Sequence, residues 1–314
     1  MAENYLSQPG SFTENCPCNY CGSWDSRRLY SECYQIGGGQ VELGIVKCRK
    51  CDLVYVSPRL SPKATNYVYE GDTEMTISHN YCWNGPADGQ RFHGILGRLR
   101  RIQPSGHLLD IGCGVGQFLA EAKRQSGWTV VGLEPNKIAA ETARRTVDCL
   151  VHDTTIDKAP LEVGSFNVIT LFGVLEHVHD PRGVLQHVHR LLKPGGVLAA
   201  YVPNFHYLRL KDTGPVARFR TGRPSNLYPQ EHLFQYTPSS VSQMLKLTGF
   251  HCLRMDIGRP FCTGGRMRNF FKWVAYYLAC GLRFVSRVHF GGIEILARRV
   301  SEDRFSGSLR HLTP

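Results

Sequence analysis

Long apolar runs are missing from this chain of 314 residues. Its uncharged, mostly apolar stretch from Trp273 to Leu282 falls far short of the ~20 residues that a bilayer-spanning helix needs. Internal repeats and low-complexity tracts are also absent, which argues against solenoids and compositionally disordered chains. The opening residues, MAENYLSQPG, contain neither the basic nor the apolar region of a secretion signal. A reducing, cytoplasmic setting is therefore expected. Acidic residues are outnumbered, with 26 Asp and Glu against 37 Lys and Arg, a formal charge of +11. That surplus keeps anionic partners open, nucleic acid among them. The 42% hydrophobic content suffices for a packed core, and the length allows two modest domains.

The most informative stretch runs from Leu108 to Leu119, LLDIGCGVGQFL. It reads as a strand buried on both faces, then a glycine turn, then a helix. Glycines at 112, 114 and 116 allow a sharp turn and a close backbone approach to a ligand. The following helix N-terminus offers unpaired N–H groups. A second strand, Trp128 to Leu133, ends on Glu134, about where such folds place their ribose-hydroxyl acceptor. The dinucleotide fingerprint G-x-G-x-x-G is not met, because the third glycine comes one residue early. Asp110 at the mouth of the turn would repel a pyrophosphate and suits a ligand carrying positive charge.

Here the chain resembles class I S-adenosylmethionine-dependent methyltransferases. The resemblance runs from about His107 to Arg299. It continues in order through VVGLEPN (130–136), SFNVITLFGVLEHVHDP (165–181), HRLLKPGGVLAAYVPN (189–204), EHLFQYTP (231–238), LKLTGF (245–250) and GIEILARR (292–299). It implies an α/β fold with a doubly wound, Rossmann-like methyltransferase sheet and S-adenosylmethionine as cofactor. By the same resemblance, Gly112 and Gly114 pass under the cofactor's amino-acid portion, with Asp110 near its ammonium. Glu134 takes the ribose hydroxyls, Asp153 and Thr154 lie beside the adenine, and Leu171 and Phe172 line the cleft.

A second signal lies upstream in Cys18-Asn-Tyr-Cys21 and Cys48-Arg-Lys-Cys51, among 12 cysteines in all. Two C-x₂-C pairs converging on one ion supply the four thiolates of a tetrahedral structural zinc site. A disulfide is the alternative, and Cys16 could replace Cys18. Gly37-Gly38-Gly39 offers a reversal between the pairs. Gly22 supplies the bend after the first pair, and Asp52 takes the matching place after the second, tolerating a left-handed backbone. The words CRKCDLVYVSPR (48–59) are similar to the N-terminal ribbon of many bacterial methyltransferases, with Asp52 in place of a usual glycine. The expected organisation is a zinc ribbon over 1–60, a helical connector over 61–100, the methyltransferase domain over 101–300 and a flexible tail over 301–314. Structural Zn²⁺ joins S-adenosylmethionine as an expected cofactor.

A hydroxyl acceptor needs a base. His177, after the fourth strand, and His232, after the fifth, are the candidates, since both belong at the same sheet edge. Either histidine can instead be supporting, His177 at a helix start and His232 as an anchor for the next helix. Glu176 can act as an electrostatic cap of that same helix start. The turn is similar to the EVLEHV of quinone-ring O-methyltransferases, which can hold a divalent cation. Gly173 stands at the first glutamate, so no catalytic metal is predicted. The N-P-P-Y and D-P-P-Y words of methyltransferases acting on exocyclic amines or amides are missing.

The insertion from Phe205 to Gln230 carries Arg209, Lys211, Arg218, Arg220 and Arg223, which suit a phosphate- or carboxylate-bearing acceptor. The segment 266–287 mixes basic and aromatic residues at helical spacing. It reads as a core helix, as a surface helix touching anionic membrane or a lipid-linked substrate, or as an RNA contact. The expectation is methyl transfer to oxygen, or in second place carbon, of a small or glycan-like anionic acceptor. The rivals are an RNA methyltransferase and a non-catalytic cofactor-binding partner protein. The expected place is the cytoplasm, including the inner membrane face.

Overall fold

The computed structural model describes residues 12–36, 39–65, 86–125, 127–213, 226–257 and 291–300, with Phe270 and Val274 as two further helical residues. Arg218, Arg220, Arg223, nearly all of 266–287 and the tail 301–314 lie outside the described residues, as do the connector's Tyr67, Tyr69, Tyr81 and Trp83. Among the described residues no helix is long and apolar enough to cross a membrane.

Strands β1 (Thr13–Glu14), β2 (Ser26–Ile36), β3 (Gly39–Cys48), β4 (Val54–Val56) and β5 (Arg59–Leu60) come first, followed by helix α1 (Pro86–Ile102). An alternating series follows: β6 (Gly106–Ile111), α2 (Gln117–Arg124), β7 (Trp128–Leu133), α3 (Lys137–Val147) and β8 (Leu150–His152). Then come β9 (Phe166–Phe172), α4 (Pro181–Leu191), β10 (Leu192–Val202) and α5 (Phe205–Thr213). The chain continues through β11 (Phe234–Gln235), α6 (Pro238–Leu247), β12 (Phe250–Ile257) and β13 (Ile293–Arg299).

Seven strands form one sheet in the order β12-β13-β10-β9-β6-β7-β8. Strands β8, β7, β6, β9 and β10 are mutually parallel, while β13 runs antiparallel to β10 and β12. From β6 the chain winds outward through β7 to β8, then returns to the other side of β6 at β9. That reversal opens a crevice at the carboxyl ends of β6 and β9, where open α/β sheets bind ligands.

The central strands are covered on both faces, which accounts for their unbroken apolar runs. On one face, Phe92, Leu96 and Leu99 of α1 pack with Phe118 and Leu119 of α2 and Ala140 and Ala143 of α3 over Leu108, Val130 and Val168. On the other, Leu185 and Val188 of α4 and Val241 and Met244 of α6 pack over Leu109, Ile169 and Leu198. Leu96 and Leu99 are fully buried, and each such side chain contributes about 1.5–3 kcal/mol. Their spacing with Phe92 is helical, so α1 runs across the expected 100/101 division and joins the layer over the sheet.

Local chemistry starts the helices where they start. Asn136 accepts from the N–H groups of Ile138 and Ala139, and Asp180 accepts from Gly183 ahead of Pro181. Thr237 and Ser240 form a reciprocal capping box before α6.

A second sheet of four strands has the order β11-β4-β3-β2. Strands β2 and β3 form a long antiparallel pair that ends with Ile36 opposite Gly39. The fourth member, β11, comes from the far end of the chain's parallel series. It pairs antiparallel with β4, Phe234 opposite Tyr55 and Gln235 opposite Val54.

Candidate active site and metal centre

Strand β6 delivers Asp110 to the crevice and then turns at Gly112, Gly114 and Gly116, whose φ angles are +69°, +54° and +84°. L side chains rarely adopt this region. At Gly112 space also forbids a side chain, because a Cβ would stand 2.6 Å from a Val174 methyl. That contact brings the glycine turn against the turn that follows β9.

Glu134, 3% exposed, holds the turn in place. One carboxylate oxygen accepts from Gly114 N–H at 3.0 Å and the other from Asn136 N–H at 2.9 Å. Leu133 O accepts from the N–H groups of Gly112 and Cys113 at 2.7 and 3.2 Å. Gly132 is a residue that sequence reasoning passed over. A Cβ there would lie 2.8 Å from Cys113 Sγ, so a bare strand position is needed to seat the turn.

Asp110 is 3% exposed, and Thr170 Oγ1 donates to it at 2.5 Å. Burial raises its carboxyl to about 7; the Glu134 charge adds to the rise and the Thr170 bond opposes it. Asp153 is half-exposed and ion-paired with Arg144 at 3.0 Å. Thr154 follows it, half-buried, just beyond β8.

Leu171 and Phe172, at the carboxyl end of β9, point to opposite faces of the sheet. Leu171 is fully buried among Ile111, Leu175 and their neighbours. Phe172 turns to the opposite face and meets Phe118 edge-on at 4.9 Å. Successive residues of a strand point to opposite faces.

The turn after β9 carries the second group of residues. His177 Nδ1 lies 3.0 Å from Glu231 O. A carbonyl only accepts, so that bond assigns the proton to Nδ1 and leaves the lone pair on Nε2. Nε2 is 4.0 Å from Glu176 Oε1. The His177 and His232 rings stand edge-to-face, 4.8 Å apart. His232 Nδ1 and Glu176 Oε2 are buried with no hydrogen-bond partner among the described residues. Burial pushes Glu176 up to about 8 and His177 down to about 4. Burial also pushes His232 down to about 3, helped by the neighbouring His177. At neutral pH the cluster holds two neutral imidazoles and an uncharged carboxyl.

Two supporting roles suggested by the sequence are not seen. Glu176 does not cap α4; Asp180 does. His232 does not anchor α6, whose start is closed by Thr237 and Ser240. Sequence reasoning also missed Tyr236, fully buried, whose hydroxyl donates to Leu175 O at 3.0 Å and steadies the turn. Nothing in the local pattern marked it, since the partner is 61 residues away.

Cys18, Cys21, Cys48 and Cys51 bring their sulfurs within 4.8 Å of one another. The two pairs form matching knuckles. Gly22 N–H donates to Cys18 O at 2.8 Å and Asp52 N–H to Cys48 O at 3.2 Å. Cys18 N–H donates to Ser23 O and Cys48 N–H to Leu53 O, both at 2.9 Å. Gly22 and Asp52 have φ of +69° and +64°, the left-handed bend their types accommodate. Sulfur separations of 3.3 Å for Cys18–Cys51 and 3.6 Å for Cys21–Cys48 exceed a disulfide bond of about 2.05 Å. A tetrahedron with metal–sulfur bonds of about 2.3 Å has edges of about 3.8 Å, which the Cys21–Cys48 separation approaches and the Cys18–Cys51 separation falls short of. Burial raises the Cys18 thiol to about 11. At Cys48 burial is outweighed by N–H groups of Cys51 and Lys50, and that thiol is lowered. Cys16 lies apart from the cluster, with its sulfur 3.5 Å from Val56 O.

The strand order, the antiparallel β13 and the glycine turn joined to an acidic residue after β7 define a class I S-adenosylmethionine-dependent methyltransferase fold. The chain belongs to that family: a family model described as a methyltransferase domain matches residues 88–254, more than half of its length. The ubiquinone biosynthesis O-methyltransferase of Vibrio parahaemolyticus is 39% identical over 95 residues, 28% of this chain and 40% of that protein. The corresponding protein of Pectobacterium atrosepticum is 36% identical over 114 residues, 34% of this chain and 43% of that one. The chain thus spans less than half the length of these curated relatives. Among solved structures, a Burkholderia thailandensis 1,6-didemethyltoxoflavin-N1-methyltransferase, bound to its substrate and S-adenosylhomocysteine, superposes with a TM-score of 0.53. It is 15% identical, over 88% of this chain and 100% of that one. A Mesorhizobium loti S-adenosylmethionine-dependent methyltransferase gives a TM-score of 0.50 at 19% identity, over 68% of this chain and 100% of that one. At such identities the likeness is one of fold.

Proposed function

We propose that the protein transfers a methyl group from S-adenosylmethionine to an oxygen, or in second place a carbon, of a small or glycan-like anionic acceptor in the cytoplasm. The observation that carries this reading is the contact of two unlike halves at Gly112 and Val174. One half offers backbone N–H groups, Asp110 and Glu134 for the cofactor. The other offers His177, His232 and Glu176 beside it. Asp153 and Thr154 would flank the adenine. Cys18, Cys21, Cys48 and Cys51 would hold a structural zinc, which with four protein ligands has no open position for chemistry. The O-methyltransferase names of the curated relatives support an oxygen acceptor. Incubating cell extract with methyl-labelled donor and searching for a labelled metabolite tests this reading; label found only in RNA would replace it.

In-line transfer from a sulfonium needs alignment of the acceptor and removal of its proton. Burial alone makes each imidazole a weak base. Ionised Glu176, 4.0 Å from His177 Nε2, would offset that by stabilising the imidazolium. The productive base is then the pair with Glu176 ionised, and turnover should rise with pH through about 8. A second reading has one observation in its favour: donor atoms of Glu176, His177 and His232 lie within 4.8 Å of one another, close enough to share a divalent cation. Calorimetric titration of Mn²⁺ into the zinc-loaded protein, with and without His232→Ala, separates the two readings.

Cofactor affinity should depend on pH in a stated direction. The free protein keeps Asp110 protonated below about 7, whereas the cofactor's ammonium favours the carboxylate. Binding below that pH must expel one proton. Affinity for S-adenosylhomocysteine should therefore fall about tenfold per pH unit below about 7 and level off above it. Calorimetry across this range checks the slope, and Asp110→Asn should flatten it.

A further inference from the structure

We propose that the cysteine centre, filled by zinc, is the positioning element for the histidine turn, while the hydrogen bonds that hold the cofactor turn do not pass through it. The inference rests on the zinc reading and on the placement of His177 and His232 at the acceptor side.

The argument is one of connectivity. Strand β4 begins three residues after Cys51 and hydrogen-bonds to β11, which follows His232 almost directly. Val56 N–H donates to Leu233 O at 2.9 Å, and Phe234 N–H donates onward to Glu176 O at 3.3 Å. A continuous backbone path thus leads from the second knuckle to both the His232 loop and the Glu176 turn. The first knuckle grips the other end of that turn. Asn19, between Cys18 and Cys21, donates to Asp180 Oδ1 at 2.8 Å and accepts from Arg182 N–H at 3.3 Å. Between these grips, Arg59 donates to His179 O at 3.0 Å, and His179 Nε2 lies 3.2 Å from Leu60 O. Cys18, Tyr20, Cys48, Leu53 and Tyr55 share one core with Leu171, Leu175, Leu233 and Tyr236.

The glycine turn shares that core through Ile111 and Leu133, but its N–H groups donate elsewhere, to Leu133 O, Glu134 and Cys113 O. A closed tetrathiolate centre fixes both knuckles relative to each other, and through them the two segments that carry the histidines. Loss of the ion frees the knuckles and loosens those segments first.

Hydrogen exchange on the full chain, zinc-loaded and chelator-stripped, tests the proposal beside metal analysis and calorimetry with S-adenosylhomocysteine. Stripping should cost segments 174–182 and 228–236 about tenfold or more in protection and leave 110–117 and 131–136 unchanged. Affinity for S-adenosylhomocysteine should stay within about twofold. Equal loss of protection everywhere, together with lost binding, would mean the ion holds the whole fold and would overturn the proposal. Asn19→Ala keeps all four thiols; with zinc retained, 174–182 should still loosen, and unchanged exchange there would overturn the proposal. A purified protein without zinc would remove the zinc reading as well. Zinc present, with unchanged exchange on stripping, would remove only this one.

Discussion

Glu134→Ala is expected to weaken S-adenosylhomocysteine binding by about 10²–10⁴-fold. Two effects act together. The carboxylate would accept from both ribose hydroxyls, and hydrogen bonds to a charged group contribute about 1.5–3 kcal/mol each. It also accepts from Gly114 and Asn136 N–H, so its removal releases the turn that must pass beneath the cofactor. Glu134→Gln keeps an acceptor oxygen but loses the charge, and should fall between the two. Calorimetric titration of parent and variants measures this, with thermal melting to establish that the variants fold. Equal affinities would take Glu134 out of the cofactor site.

His232→Phe should lower labelled-methyl transfer in extract by about 10²-fold, because it removes a ring nitrogen that would orient the acceptor beside the His177–Glu176 base, without lowering the melting temperature. Phenylalanine keeps a ring against His177, so the edge-to-face contact at 4.8 Å survives. It removes Nδ1, a buried atom with no partner among the described residues, and a hydrogen bond left unmet there costs about 1–3 kcal/mol. A group that costs stability in the free protein and is expected to gain a partner with the acceptor is typical of functional sites. Affinity for S-adenosylhomocysteine should hold, because the proposed function places His232 on the acceptor side. Retained transfer would show that His232 does not orient the acceptor; a lower melting temperature would show that its role is structural.

The local words of the sequence carried much of this. The stretch LLDIGCGVGQFL is at once a buried strand, a turn with three left-handed glycines and a helix start. All of that is short-range chemistry. So are Gly22 and Asp52, whose residue types announced the left-handed bends of the two knuckles. Side-chain direction was less legible. Leu171 and Phe172 follow each other on one strand and point to opposite faces, Phe172 towards Phe118, which the words of the sequence alone do not say. Glu176 looked like a surface cap because acidic residues favour helix starts. Its burial follows from packing against β11, a contact that no local pattern foretells.

What the sequence by itself determined is the set of residues whose role rests on neighbours a few positions away: glycine turn, acidic strand end, cysteine pairs and helix caps. Only the tertiary structure decided that β11 leaves the catalytic series to complete the ribbon sheet. It likewise brought His177 and His232 ring to ring across 54 intervening residues. Backbone pairing and desolvation depend on which segments meet in space. The same histidine is an ordinary base on a surface and a strongly perturbed one beneath a buried glutamic acid, and the sequence is identical in both cases.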